Sequence, residues 1–217
     1  MNRPIVIFLC LFVCFQMQGQ VYQTTDKNNN IHRFFIDQDY FIETVYASTN
    51  GAFISTRGGF YTLHKNKFKV SFEFNSTYAE DSLRVVEYQK NKNWKKISAT
   101  DQALEGKWLM AGRVKPEGEQ RRDLTRTRKT MKFLLDGYFQ WTAFDAASMR
   151  FMGSGGGTYT TTEKAYVESL DYFSRDNKKV GKVLPFTYTL AGDDWYHKGK
   201  NSKGAPLHEI WHKRPNE

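Results

Sequence analysis

The sequence predicts an all-β protein built from two related, antiparallel β-barrel units packed together. Three observations point there. Helical periodicity is nearly absent, and short apolar-alternating runs recur every 8–14 residues between Gly, Asn, Asp or Lys. Residues 40–76 and 138–174 align without a gap at an offset of 98, with 10 identities in 37 positions. Tyr40-Phe41 answers Tyr138-Phe139, and Gly58-Gly59 with Tyr61-Thr62 answer Gly156-Gly157 with Tyr159-Thr160. Such a repeat constrains the fold before any single motif does. Aromatic residues make up 16% of the chain against only 5 prolines, the composition of an ordered β-rich protein.

Taken in order, residues 1–19 read as a secretory signal peptide. Arg3 gives a positive start, Ile5 to Phe15 carry no charge, and Met17-Gln18-Gly19 precede an expected cleavage near Gly19/Gln20. An apolar run of about 11 residues is too short for a spanning helix, which needs roughly 20. The expected destination is the periplasm or the exterior. Both cysteines, Cys10 and Cys14, fall in this leader, so the exported chain must be held by its own core without disulfides. Once Arg3 is removed, 31 basic residues face 23 acidic ones, a net +8. That balance favours anionic partners, including contact with the cell envelope; for an exported chain nucleic acid ranks last.

Residues 20–30, polar and Asn-rich, read as a poorly ordered leader to the first unit. Strands of the first unit are expected near 32–37, 40–46, 56–63, 66–74, 83–88, 93–97 and 104–113. In the second they fall near 106–113, 129–135, 138–144, 155–162, 165–173, 184–190, 194–198 and 207–212. Asp136-Gly137 between two such runs is a strong two-residue hairpin signal. Eight short strands suit an up-and-down barrel, which leaves no exposed edge. The first unit looks one strand short, so the strand at 104–113 is expected to close it or to be shared. The units are set at 20–103, a degenerate repeat, and 104–217.

The second half resembles the lipocalin-like, calycin-type proteins secreted by Bacteroidetes. The resemblance rests on Gly106-Lys107-Trp108, Arg128-Lys129-Thr130-Met131-Lys132, Asp136-Gly137-Tyr138-Phe139-Gln140-Trp141, Gly155-Gly156-Gly157-Thr158-Tyr159-Thr160, Tyr166-Val167-Glu168 and Glu209-Ile210-Trp211. It is strongest over residues 105–213 and looser in the first half. It implies meander barrels of the lipocalin type, generally without enzymatic activity and with ligands unassigned.

The repeat also provides an internal comparison. In the first copy Phe68, Val70, Phe72 and Phe74 form an apolar stripe; the aligned set is Tyr166, Glu168, Leu170 and Tyr172. Glu168 therefore takes a core-facing place, where an unpaired carboxylate costs several kcal/mol. Arg128, Lys132, Tyr159 or Tyr172 could partner it. This points to a polar, aromatic-lined cavity with Arg128, Trp141, Tyr159, Tyr166, Glu168 and Tyr172 as ligand-binding candidates, or to a satisfied pair that fixes packing. Trp141 aligns with Glu43, which suggests that this face of the first copy meets solvent. Trp108, Trp195 and Trp211 suit a plug at one end of the barrel. The segment 113–132 holds eight basic residues, and in lipocalin-like folds it would lie over the barrel mouth, either as a lid for an anionic ligand or as a solvated, flexible loop.

No catalytic motif emerges. The Gly153–Gly157 run is followed by strand-forming Thr and Tyr rather than by the helix a phosphate cradle needs, and reads as a loop and bulge at a sheet corner. His208 and His212, four apart in a strand, lie roughly 13 Å apart, too far for one metal. Both, with His197, read as solvated turn and rim residues. Nothing calls for a cofactor. The expectation is a non-catalytic binder of a small amphipathic or anionic molecule in the second barrel. The alternatives are an envelope interaction module with filled barrels and, third, a glycan-acting enzyme needing two convergent carboxylates. The sequence leaves the oligomeric state open.

Overall fold

A computed structural model describes residues 19–98 and 103–215. Most of the expected signal peptide, residues 1–18, lies outside them, as do residues 99–102 beside the expected boundary. The first unit comprises β1 (Gln20–Thr25), β2 (Asn30–Ile36), β3 (Tyr40–Ala47), β4 (Phe53–His64), β5 (Lys67–Asn75), α1 (Tyr78–Asp81), β6 (Val85–Gln89) and β7 (Lys95–Ile97). The second comprises β8 (Gly106–Lys115), β9 (Gly118–Arg121), β10 (Arg128–Leu135), β11 (Tyr138–Asp145), β12 (Arg150–Thr161) and β13 (Ala165–Phe173). After a 3-10 turn at Asn177–Lys179, β14 (Val183–Ala191), β15 (Asp194–Lys200) and β16 (Pro206–Lys213) complete it.

In the second unit β8 pairs with β16 on one side and β10 on the other, so eight antiparallel strands close into a barrel and β9 folds back on β8 as a hairpin. The turn between β10 and β11 is the expected one: Asp136 and Gly137 take φ of 51° and 75°, the left-handed pair a type I′ hairpin requires. The first unit is a seven-stranded antiparallel sheet in the order β6-β5-β4-β3-β2-β1-β7. Its edge strands β6 and β7 are not paired to one another, yet only residues 90–94 join them. At about 3.3 Å per residue that link forces the sheet to curl until its edges approach. Trp94, in the link, stacks on Phe34 at 3.8 Å and helps to fill the interior.

Two expectations are corrected here. Residues 20–30 are not a loose leader: β1 is the strand between β2 and β7. Val21 packs into the interface between the units and Tyr22 into the first unit's interior. Because both faces of β1 are covered, its sequence lacks the alternation that marks a half-exposed strand. The strand at 104–113 is not shared either. β8 pairs only within the second sheet, and β7 supplies the last strand of the first.

The two units meet through the outer faces of β8, β10 and β11 and the facing side of the first sheet. Val21, Phe35, Tyr40, Ile42 and Phe74 pack there against Leu109, Met131, Phe133, Leu135 and Phe144. The contact follows the repeat reciprocally. Phe74 meets Phe144 at 5.0 Å, and their repeat equivalents Tyr172 and Tyr46 meet at 5.2 Å. Phe53 stacks on its own equivalent, Phe151, at 5.7 Å with planes 6° apart. This is the self-complementary pattern of a two-fold dimer, within one chain. Polar groups at the seam are matched. Thr44 donates to Gln140 Oε1 at 2.6 Å and Gln140 Nε2 donates to Thr56 at 3.0 Å. Ion pairs flank it: Lys107 with Asp37 and Asp39, Arg33 with Asp171, and Arg214 with Glu73.

Candidate functional site

The closed barrel has unequal ends. At the end where β10, β12 and β16 finish, Trp108, Leu134, Phe139, Tyr159, Tyr166, Trp195 and Trp211 form one buried cluster. Trp108 donates from Nε1 to the Leu104 carbonyl at 2.8 Å, which pins the plug. At the other end a cavity of about 1060 Å³ opens between the strands. That is at the upper end of the range for small-molecule sites, roughly 300–1,000 Å³.

Its floor is charged. Lys132 on β10 and Glu168 on β13 are almost fully buried and pair at 2.6 Å, Nζ donating to Oε1. Tyr166 donates its hydroxyl to the same carboxylate oxygen at 2.9 Å. The Lys132 ammonium lies 5.1 Å from the ring centres of both Trp195 and Trp211, so the apolar plug also stabilises the cation. His197 on β15 is 2% exposed and packs against Phe186 at 4.0 Å. Its Nδ1 lies 3.6 Å from Glu209 Oε2, an electrostatic contact slightly long for a hydrogen bond. Burial, helped by the nearby Lys132 charge, holds the His197 pKa below its usual range. Burial pushes Glu209 up, but His197, Lys132 and Arg113 outweigh it and hold its carboxyl below the ordinary value.

The wall above the floor is mostly apolar, with Met110, Leu170, Phe173, Leu184, Phe186 and Leu207, and the rim is basic. From the β8–β10 connection Arg113, Arg122, Arg126, Arg128 and Lys129 face the cavity; from the opposite side come Arg175, Lys179 and Lys203. The rim acids are Asp123 and Asp176. Arg175 is fixed in place: Nη2 and Nε donate to the Met152 carbonyl at 2.7 and 3.1 Å, with the guanidinium 5.4 Å from the Trp141 ring.

Of the six residues expected from sequence, Arg128, Trp141 and Glu168 line this cavity. Trp141 lies edge-on to Phe173 at 5.6 Å, over Gly155, where a Cβ would come within 2.7 Å of its Nε1. Tyr166 stands behind the floor as a donor to Glu168, and Tyr159, 5.6 Å from it, belongs to the plug. Tyr172 does not belong to the site: it faces the other unit, against Tyr46 and Phe53. The reason is a β-bulge. Gly157 pairs with Leu170 but Gly156 with Tyr172, leaving Asp171 as an extra residue, so the alternation reverses and Phe173 points inward instead. The first unit has the same bulge between Gly58 and Gly59, which turns Phe74 toward the interface.

Two further corrections concern charge. The first-copy face bearing Glu43 is not solvent: Glu43 is 7% exposed and bonded to His32, Arg57 and Tyr88. His197 is no rim residue; its place on β15 two residues from Trp195, on the same face, was the signal available. Likewise Leu207, Glu209 and Trp211 alternate inward. The basic connection is partly a hairpin, and Arg121 turns away to Glu119 and Asp194. No protein-family model matches the chain, and no curated protein matches it.

Proposed function

We propose that this is a non-catalytic, exported, lipocalin-like protein that holds a small anionic amphiphile in its second barrel. The observation that carries the reading is the one-ended cavity of about 1060 Å³, with apolar walls between a basic rim and a buried polar floor. An apolar chain matches the wall, an anionic group matches the rim, and the plugged end prevents passage through the barrel. The first unit, filled by aromatic side chains, acts as a buttress for strands β8, β10 and β11.

The alternative of a filled interaction module is less favoured, because the second barrel's interior is not filled. A glycan-acting enzyme has two carboxylates in one cavity in its favour, Glu168 and Glu209. However, a glycosidase acid needs a raised pKa, whereas Glu209 is held low and Glu168 is tied to Lys132.

Titration of the purified protein with cis-parinaric acid, an anionic fluorescent lipid, tests the proposal. One molecule should bind per chain, and Leu170→Trp, which adds a bulky ring to the cavity wall, should weaken uptake. Absence of saturable binding by the intact protein, or undiminished binding by Leu170→Trp, would overturn it.

A further inference from the structure

The polar groups at the floor are not suited to an anion. Lys132 is already paired with Glu168, and Glu209 lies 3.9 Å from Arg113 and 3.6 Å from His197, so the floor holds no unpaired cation. A carboxylate pushed to this depth would lose its hydration without a free cation to receive it, beside two carboxylates already present. What the floor offers instead is hydrogen bonding. The proximity of Glu209 to His197 Nδ1 places the ring proton on that nitrogen, which leaves Nε2 as an acceptor; it has no hydrogen-bond partner. Trp211, also lining the cavity, has an indole N–H with no acceptor. Buried polar groups without partners are uncommon, and two of them together at the end of a cavity point to a ligand group that both donates and accepts. A hydroxyl does both.

Building on the amphiphile reading above, we infer that the ligand has two polar ends and enters hydroxyl first. A neutral hydroxyl rests on the floor against His197 and Trp211, while the anionic group remains at the arginine-rich rim. Four residues of β10 separate Lys132 at the floor from Arg128 at the rim, about 13 Å of strand. The ligand class is therefore an aliphatic chain with a hydroxyl at one end and a carboxylate or similar anion at the other, as in the medium-chain ω-hydroxy acids. The apolar walls exclude a sugar acid of equal length, which would bury many hydroxyls against Leu and Phe side chains.

Isothermal titration of the purified protein with ω-hydroxylaurate, laurate and the twelve-carbon α,ω-diacid tests this. The ω-hydroxy acid should bind about tenfold more tightly than laurate, the worth of one good buried hydrogen bond. The diacid should bind most weakly, because its second carboxylate must approach Glu168 and Glu209. His197→Phe should abolish the preference, so that the variant binds ω-hydroxylaurate and laurate alike; Trp211→Phe should remove part of it. Equal or tighter binding of laurate or the diacid by the unaltered protein would overturn the orientation and leave the amphiphile reading standing. No binding of any of the three would overturn both.

Discussion

Replacing Lys132 by Met should reveal how strongly the cavity floor depends on its buried ion pair. At 2.6 Å and an effective dielectric of about 20, the attraction between Lys132 and Glu168 is roughly 6 kcal/mol, much of it offset by desolvation of two ions. The net value of the pair is therefore small, but the value of either member alone is not. Lys132→Met leaves Glu168 buried with only the Tyr166 hydroxyl. That should cost about 3–5 kcal/mol, the usual result of breaking a buried pair from one side. For a domain of this size it corresponds to a Tm loss of roughly 6–20 °C. The double variant Lys132→Met/Glu168→Leu removes both charges and should recover most of the loss, to within about 2 kcal/mol of the parent. Urea denaturation of the parent, both single variants and the double variant completes the cycle. A single variant within about 1 kcal/mol of the parent, or a double variant that loses the sum of the singles, would refute this account of the floor.

Three other outcomes are expected. Gly59→Ala and Gly157→Ala each place a Cβ 1.9 Å from a backbone oxygen of the neighbouring strand, Ser71 and Ser169 respectively. Both should lose at least about 2 kcal/mol in thermal or urea unfolding, since the bulge that turns Phe74 and Tyr172 to the interface cannot form around a methyl. His32 has its pKa raised above 6.5, first by its hydrogen bond to Glu43. Its contribution is thus full below pH 6.5 and fades as pH rises through the raised value, and His32→Gln should flatten that alkaline-side decline in urea midpoint. Reversing rim charge with Arg126→Glu/Arg128→Glu should weaken an anionic amphiphile at least about tenfold at low salt and reduce the salt dependence of binding. Affinity for a neutral amphiphile, measured by the same titration, should remain unchanged.

The strand pattern was legible because most strands have one polar face and one buried face, as in Phe68, Val70 and Phe72 against Lys69 and Ser71. It failed at β1, whose two faces are both covered. Glu168 was legible as a buried carboxylate by comparison with Val70, and Lys132 was among the four partners offered, but no local rule singled it out, because the two are 36 positions apart. Tyr172 was misplaced for a different reason. Alternation extrapolates along a strand only until a bulge, and although the glycine run reads as one, nothing in it says which residue of the neighbouring strand is left unpaired. His197 was read with His208 and His212 as a rim residue, although Trp195 on the same face indicated the interior.

The repeat and the cavity are connected by a few aligned positions. Lys132 and Glu168 stand where the first copy has Phe34 and Val70, both in that unit's buried cluster. Phe34 receives Trp94 face to face at 3.8 Å, so the first interior is packed shut from the β6–β7 link. The equivalent Lys132–Glu168 pair offers no apolar face for such a stack, and its charges favour a space that holds polar groups or water. At the rim the exchange runs the other way. Glu43 and Arg57 pair at 2.9 Å in the first copy, while their equivalents are Trp141 and Gly155, an indole lying over a residue without a side chain. An ion pair at the mouth of the first unit is thus matched by an aromatic wall at the mouth of the second, and an apolar stack at the first floor by an ion pair at the second. Two pairs of substitutions on one shared backbone pattern are enough to invert the polarity of the interior. That inversion accounts for why one copy fills itself and supports its neighbour while the other keeps an opening.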